Sequence, residues 1–412
     1  MMNRYFIMVI LFLSLLFFLG FGRTSFAKEP SQYLLVNLHR HELTREGLQD
    51  IKQKLAARTD SNIRIGVSMI YSYLQIPKDD DAAEERFLQQ IKADLALVQE
   101  TELPMLVQLD GEQWWNARPD LWNWWDPTKP GFDPKNAENV EWTDWGPEHA
   151  VKISWRNWGR QLRVLPAPNL MSPAYSAAWK EKMDKVVPVI LDWVKSLPDD
   201  KKYLFVGIKV GWESSVGLNA WYYPNGNDLL DKPEKEDPQA GLDGTQIPGR
   251  GVQTIGFAAC TSAGIRKSGQ IEEADLAEVA RRHLENLCKK ASELGVPRDK
   301  LFTHGAGWKD EELLYDATVN KYSCPGWSFY NEFAVDPGTN MGVKRALKTS
   351  DAPYWAVTEW LLFHDIKDRW VSALEKSLSD PKCRYVCIFN WMSIINSPNV
   401  HEAIREFLAS TD

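Results

Sequence analysis

Residues 203–213 read YLFVGIKVGWE. This run is short and rich in β-branched and aromatic residues, which makes it a strand rather than a helix. Period 2 sends Val206, Ile208 and Val210 to one face and Gly207, Lys209, Gly211 and Glu213 to the other. An apolar face for covering helices, backed by a second face that must also be filled, is what a strand in a closed parallel barrel needs.

Similar runs begin near Tyr33 (YLLVNL), Ile63 (IRIGVSM), Pro104 (PMLVQLD), Leu301 (LFTHG), Cys324 (CPGWSFY), Tyr354 (YWAVTEW) and Arg384 (RYVCIFNW). Each is followed by a stretch of helical period, with helices expected to start near Thr44, Asp81, Ser172, Glu272, Asp310, Thr339, Asp365 and Asn399. Eight βα units without a gap favour a (β/α)8 TIM barrel over an open doubly wound sheet. The second strand directs Arg64, Gly66 and Ser68 inward and the third Gln108 and Asp110, so the barrel interior is expected to be polar.

At the N-terminus, Arg4 precedes an apolar run from Phe6 to Phe21, and Ser25-Phe26-Ala27 suits signal peptidase. Residues 1–27 are therefore expected to be a signal peptide. That makes the product secreted or periplasmic, with no stable membrane association after cleavage; the alternative is an uncleaved membrane anchor. Cleavage removes Arg4 and Arg23 and no acid, leaving the formal net charge of −8 two units more negative. Such a charge argues against nucleic acid as a partner. The five cysteines form no CxxC pair, so neither a zinc site nor a disulfide framework is indicated.

The remaining 28–412 reads as one catalytic domain with two long loops, about 111–171 after the third strand and 214–271 after the fourth. Both leave the carboxyl-terminal face, where sites of this fold are built, and the Pro-, Gly- and Asp-rich portion from Asp231 to Gly251 is either a lid or decoration. Nine of the nineteen tryptophans lie between Trp114 and Trp158. Indole faces suit the C–H faces of sugar rings, so one to three of them are expected to be platforms and the rest a satellite core. Two glutamates end strands on the inward phase, Glu213 and Glu359. Glycoside hydrolysis needs such a pair, one carboxyl to protonate the leaving oxygen and one to attack or to activate water.

With these residues the chain resembles the clan A retaining (β/α)8 glycoside hydrolases. The resemblance implies Glu213 as acid/base and Glu359 as nucleophile, Tyr330 as a hydroxyl aimed at the nucleophile, Trp391 as a sugar platform and His304 as a residue facing the site. Trp212 stands where the clan usually has Asn, and VSMIYSY (67–73) lacks the arginine common at the end of the second strand. Asp110 and Glu112 form a second acidic pair, and together with Trp114 and Trp212 they are candidate substrate-binding residues.

The expected partner is a carbohydrate, with no cofactor and no metal. The expected activity is hydrolysis of O-glycosyl bonds by retaining double displacement. The alternatives are an inverting glycosidase using Asp110 or Glu112 and a non-catalytic carbohydrate-binding barrel. As acid, Glu213 needs a raised pKa, which burial beside Trp212 and an ionised Glu359 would supply; Lys209, two inward positions below, would oppose it unless paired elsewhere.

Overall fold

The computed structural model describes residues 32–56, 58, 62–112, 114–157, 161–217, 220–222, 253–306 and 312–411. The expected signal peptide, the stretch from Asp231 to Gly251, Trp158 and the helix start at Asp310 lie outside these. Its strands in chain order are β1 (Gln32–Leu38), β2 (Ile63–Ser72), β3 (Met105–Asp110), β4 (Ser154–Asn157), β5 (Gln161–Val164) and β6 (Phe205–Val210). They continue with β7 (Ala220–Tyr222), β8 (Gln253–Thr254), β9 (Leu301–Thr303), β10 (Gly326–Tyr330), β11 (Trp355–Leu361) and β12 (Cys383–Ile388).

Eight strands pair in parallel in the order β10-β11-β12-β1-β2-β3-β6-β9. Parallel bridges Phe302↔Cys324 and Gly305↔Trp327 join β9 back to β10, supported by Thr303 N–H to Cys324 O at 3.0 Å and Gly305 N–H to Gly326 O at 2.9 Å. The chain is a (β/α)8 barrel. Its helices begin where short polar side chains satisfy the first N–H groups: Thr44 accepts from Gly47, Asp80 from Ala83, Ser172 from Tyr175 and Asn340 from Val343. Glu272 and Asp275 form a reciprocal capping box. No helix among the described residues is long and apolar enough to cross a membrane.

The barrel interior is layered rather than uniformly polar. Its lowest layer is apolar and aromatic, with Tyr33, Leu35, Leu106, Val206, Phe302, Ala356, Tyr385 and Cys387 in one buried cluster. The Arg64 guanidinium lies 3.9 Å from the centre of the Tyr203 ring. Above, Gln108 donates to Asn37 Oδ1 and Ser68 Oγ, both at 2.8 Å.

Val206 therefore faces inward, not toward the helices. The cause is a bulge: Met105 pairs with Phe205 but Leu106 pairs with Gly207, so one extra residue resets the phase before Ile208 turns outward. Gly207 has φ +155°, and a Cβ there would lie 2.5 Å from Lys300 O, so the bulge requires glycine. A second bulge lies in β11, where Trp327 pairs with Val357 and Ser328 with Glu359, leaving Thr358 as the extra residue.

The stretches after β3 and β6 are not independent loops. β4 and β5 from the first pair antiparallel with β7 and β8 from the second, in the order β5-β4-β7-β8. A single small sheet thus stands on the side of the carboxyl-terminal rim that follows the third and fourth barrel strands.

Candidate functional site

Past Val210 the chain turns through two left-handed residues, Gly211 (φ +78°) and Glu213 (φ +48°). A Cβ on Gly211 would sit 2.7 Å from Ser214 Oγ and 3.3 Å from Glu112 Oε1, so only glycine permits this turn. The turn sets Glu213 at the barrel mouth, buried, while the bulge at Thr358 gives Glu359 the same inward aim. A carboxylate oxygen of each and a ring nitrogen of His304 all lie within 4.8 Å of one another. Tyr330 Oη–H donates to Glu359 Oε2.

Beneath the carboxylates runs a buried line of donors. Lys209 Nζ lies 2.6 Å from His304 Nδ1, and His304 Nε2 lies 2.7 Å from Ser328 Oγ. Burial first, and then the charges of Lys209 and Arg156, push the His304 imidazole well below its ordinary pKa. The ring is neutral, and its partners assign the tautomer: Nδ1 accepts from Lys209 and Nε2–H donates to Ser328. Burial lowers Lys209, opposed most by the charge of Glu359 and then by Asp110. The lysine therefore stays within the site, with Glu359 as its foremost charge partner and Glu213 a lesser one.

Glu359 in turn is raised by burial, against the pull of Lys209 and of hydrogen bonds from Tyr330, Ser328 and Trp212. Trp212 is half-buried with its ring centre 5.6 Å from Lys209 Nζ, and its hydrogen bond goes to Glu359.

Asp110 and Glu112 are buried like Glu213 and Glu359 and are engaged by protein groups. Glu112 accepts from Ser214 Oγ at 2.6 Å and from His283 Nε2 at 3.1 Å, and its own N–H donates to Asp110 Oδ1 at 2.9 Å. Burial would raise Glu112, but the His283 imidazole, Ser214 and Arg156 hold it below the ordinary carboxylate range. Arg156, carried in by β4, donates to the main-chain oxygen of Glu213 and to Ser215 Oγ, both at 3.3 Å. Neither His283 nor Arg156 was among the expected site residues, since one sits on a covering helix and the other in the tryptophan-rich stretch.

The aromatic expectations divide. Trp391 is not a platform: β12 ends at Ile388, Trp391 opens a short helix, and its buried ring stacks on His401 at 5.7 Å with Lys54 Nζ over it. Trp115, Trp142 and Trp155 are buried, and Trp114, Trp122, Trp124, Trp125 and Trp145 are half-buried. Five indole N–H groups end on backbone carbonyls: Trp115 on Pro166, Trp122 on Trp115, Trp124 on Val151, Trp142 on Ala137 and Trp145 on Gly269. These form the satellite core. All five cysteines are buried free thiols. Glu213, His304 and Glu359 are close enough to share a cation, although Lys209 and Ser328 already engage both nitrogens of His304.

No protein-family profile matches the chain, and no curated protein does. Among solved structures it is similar to a glycoside hydrolase family 5 enzyme from Prevotella bryantii B14, at 11% identity over 94% of this chain and 98% of that one, with a TM-score of 0.44. It is also similar to GH26A from a Muricauda species, at 11% identity over 92% and 90% with a TM-score of 0.42. A third is GH5_18 from Streptomyces cattleya in complex with GlcNAc, at 11% identity over 93% and 80% with a TM-score of 0.47.

Proposed function

We propose that the protein is a glycoside hydrolase that cleaves O-glycosyl bonds of an oligo- or polysaccharide with retention of configuration. The observation that carries the reading is the approach of the Glu213 and Glu359 carboxylate oxygens to within 4.8 Å at one barrel mouth. Retaining enzymes separate their carboxyl groups by about 5–5.5 Å, whereas inverting ones need about 6.5–9.5 Å to admit water.

Two buried carboxyls this close hold one proton between them near neutral pH. Burial raises Glu359, while Lys209 and hydrogen bonds from Tyr330, Ser328 and Trp212 favour its charged form, which suits the nucleophile and leaves the acid's part to Glu213. Glu359 attacks the anomeric carbon while Glu213 protonates the leaving oxygen. Water then cleaves the glycosyl-enzyme with Glu213 as base. No cofactor enters these steps. The Phe6–Phe21 run and Ala27 support action outside the cytoplasm.

Kinetics of two variants test the roles. Glu213→Ala should lose about a hundred- to ten-thousand-fold on a natural glycoside, keep turnover on an aryl glycoside with a good leaving group, and yield an azide adduct of retained configuration. Glu359→Ala should be inactive on both. Equal losses on the two substrates, or a first product of inverted configuration, overturns the assignment.

A further inference from the structure

We propose that a carbohydrate-chain subsite lies outside the catalytic pair, in the groove between the loops after β11 and β12, with Phe363 as its platform. This rests on the glycosidase reading and names where the rest of the substrate lies. The groove is open, about 460 Å³ in volume, and lined by Leu361, Phe363, His364, Asp365, Ser393 and Ser397 among others. That volume falls within the roughly 300–1,000 Å³ of small-molecule sites.

Three observations select a sugar chain as the occupant. Phe363 is 66% exposed, more than any other large apolar side chain among the described residues, and Ile366 and Met392 beside the groove are 51% and 54% exposed. One face of the Phe363 ring stacks on Tyr330, with centroids 5.9 Å apart and planes within 18°, and the Tyr330 hydroxyl donates to Glu359. Groove and catalytic centre are thus joined by a ladder of two rings. The lining also alternates an aromatic face and aliphatic groups with the imidazole, carboxylate and hydroxyls of His364, Asp365, Ser393 and Ser397, which is what a ring with apolar faces and a polar edge requires.

The exposed ring is held there rather than left loose. Trp370 Nε1–H donates to His364 O at 2.7 Å, Asn399 Nδ2–H reaches Asp365 O at 3.4 Å, and Trp370 packs edge-on against Trp360 at 5.0 Å. A platform preorganised in this way adds no ordering cost on binding.

Calorimetric titration with hexasaccharides of glucose, mannose, xylose and N-acetylglucosamine tests the subsite separately from catalysis, using Glu359→Gln protein to stop turnover. At least one hexasaccharide should bind, Phe363→Ala should weaken it about ten-fold, and Phe363→Tyr should restore it. Ser397→Trp, which fills the groove from its opposite wall, should weaken it similarly and covers the case in which Phe363→Ala fails to fold. In the otherwise unaltered enzyme, Phe363→Ala should raise KM for the hexasaccharide and leave kcat on an aryl monosaccharide within about two-fold. Failure of every hexasaccharide to bind, or binding indifferent to both Phe363→Ala and Ser397→Trp, overturns the subsite. Binding that depends on Phe363 without turnover of any glycoside overturns the glycosidase reading and leaves the subsite standing.

Discussion

The two sides of the barrel rim use aromatic residues in opposite ways. The side after β3 and β6 holds eight described tryptophans between Trp114 and Trp155, and five of them end in hydrogen bonds to backbone carbonyls within that same structure. The side after β11 and β12 offers Phe363, which has no polar handle to satisfy and stands mostly in solvent. A connection of some sixty residues cannot rest on the barrel core alone, so it builds a core of its own and spends its indoles there. A short loop has no such need. Aromatic density therefore measures how much backbone has to be covered, while a lone exposed ring on a tethered loop is the better sign of a ligand.

The contrast breaks most visibly in stability. Trp115→Ala, which removes a fully buried ring packed edge-on against Tyr175, should cost about 3–5 kcal/mol by denaturant titration. Phe363→Ala should leave the unfolding midpoint nearly unchanged. Similar losses at both positions would erase the distinction.

Arg156 sharpens the comparison, because it is the point at which the tryptophan-rich side touches the proposed chemistry. Arg156→Gln should lower kcat about ten- to a hundred-fold by loosening the Glu213 turn. It should also move the alkaline limb of the kcat/KM profile upward, since removing a cation favours the protonated acid. A variant with reduced stability but an unmoved profile would confine that side to scaffolding.

The smallest effect concerns Glu141, buried within the same satellite core and raised to about 8 by burial, against the backbone N–H groups of Trp142, Gly256, Ala258 and Ala259. The folded state keeps this proton while the unfolded chain releases it near its ordinary value of 4.5. This residue's contribution to stability should therefore fall as pH rises from about 4.5 to about 8, with a slope of at most about 1.4 kcal/mol per pH unit. Glu141→Gln should flatten that part of the curve of melting temperature against pH. An unchanged curve would show that the carboxyl titrates alike in both states.

The eight strand starts and the caps at Thr44, Ser172 and Glu272 were legible because period and capping chemistry are local, whereas the aim of Glu213 comes from a turn and that of Glu359 from a bulge. The lower half of β6 was misread because Val206 obeys alternation only after the bulge at Gly207 is counted, and that bulge depends on Lys300, far along the chain. Trp391 was misplaced because the FNW ending continues an apolar run past the true end of the strand at Ile388. Arg156 and His283 carried no signal, since their partners lie 57 and 171 residues away. The union of the two long connections into one sheet was hidden for the same reason. Phe363, a single phenylalanine in LLFHD, gave nothing to distinguish it from a core residue.

The bulges in β6 and β11 act as phase shifters on the two strands that lead to the glutamates. Below each, the chain keeps one parity to fill the barrel floor; above it, the opposite parity aims the carboxylate. The extra residue in each strand thus absorbs a mismatch of one position between floor and mouth, so that both keep an inward row. Deleting Thr358 alone would leave Val357 and Glu359 adjacent opposite Trp327 and Ser328, so plain alternation would keep Glu359 inward and Trp360 outward, whereas straightening the bulge with Thr358 retained would turn Glu359 into the helical shell and bring Trp360 into the mouth.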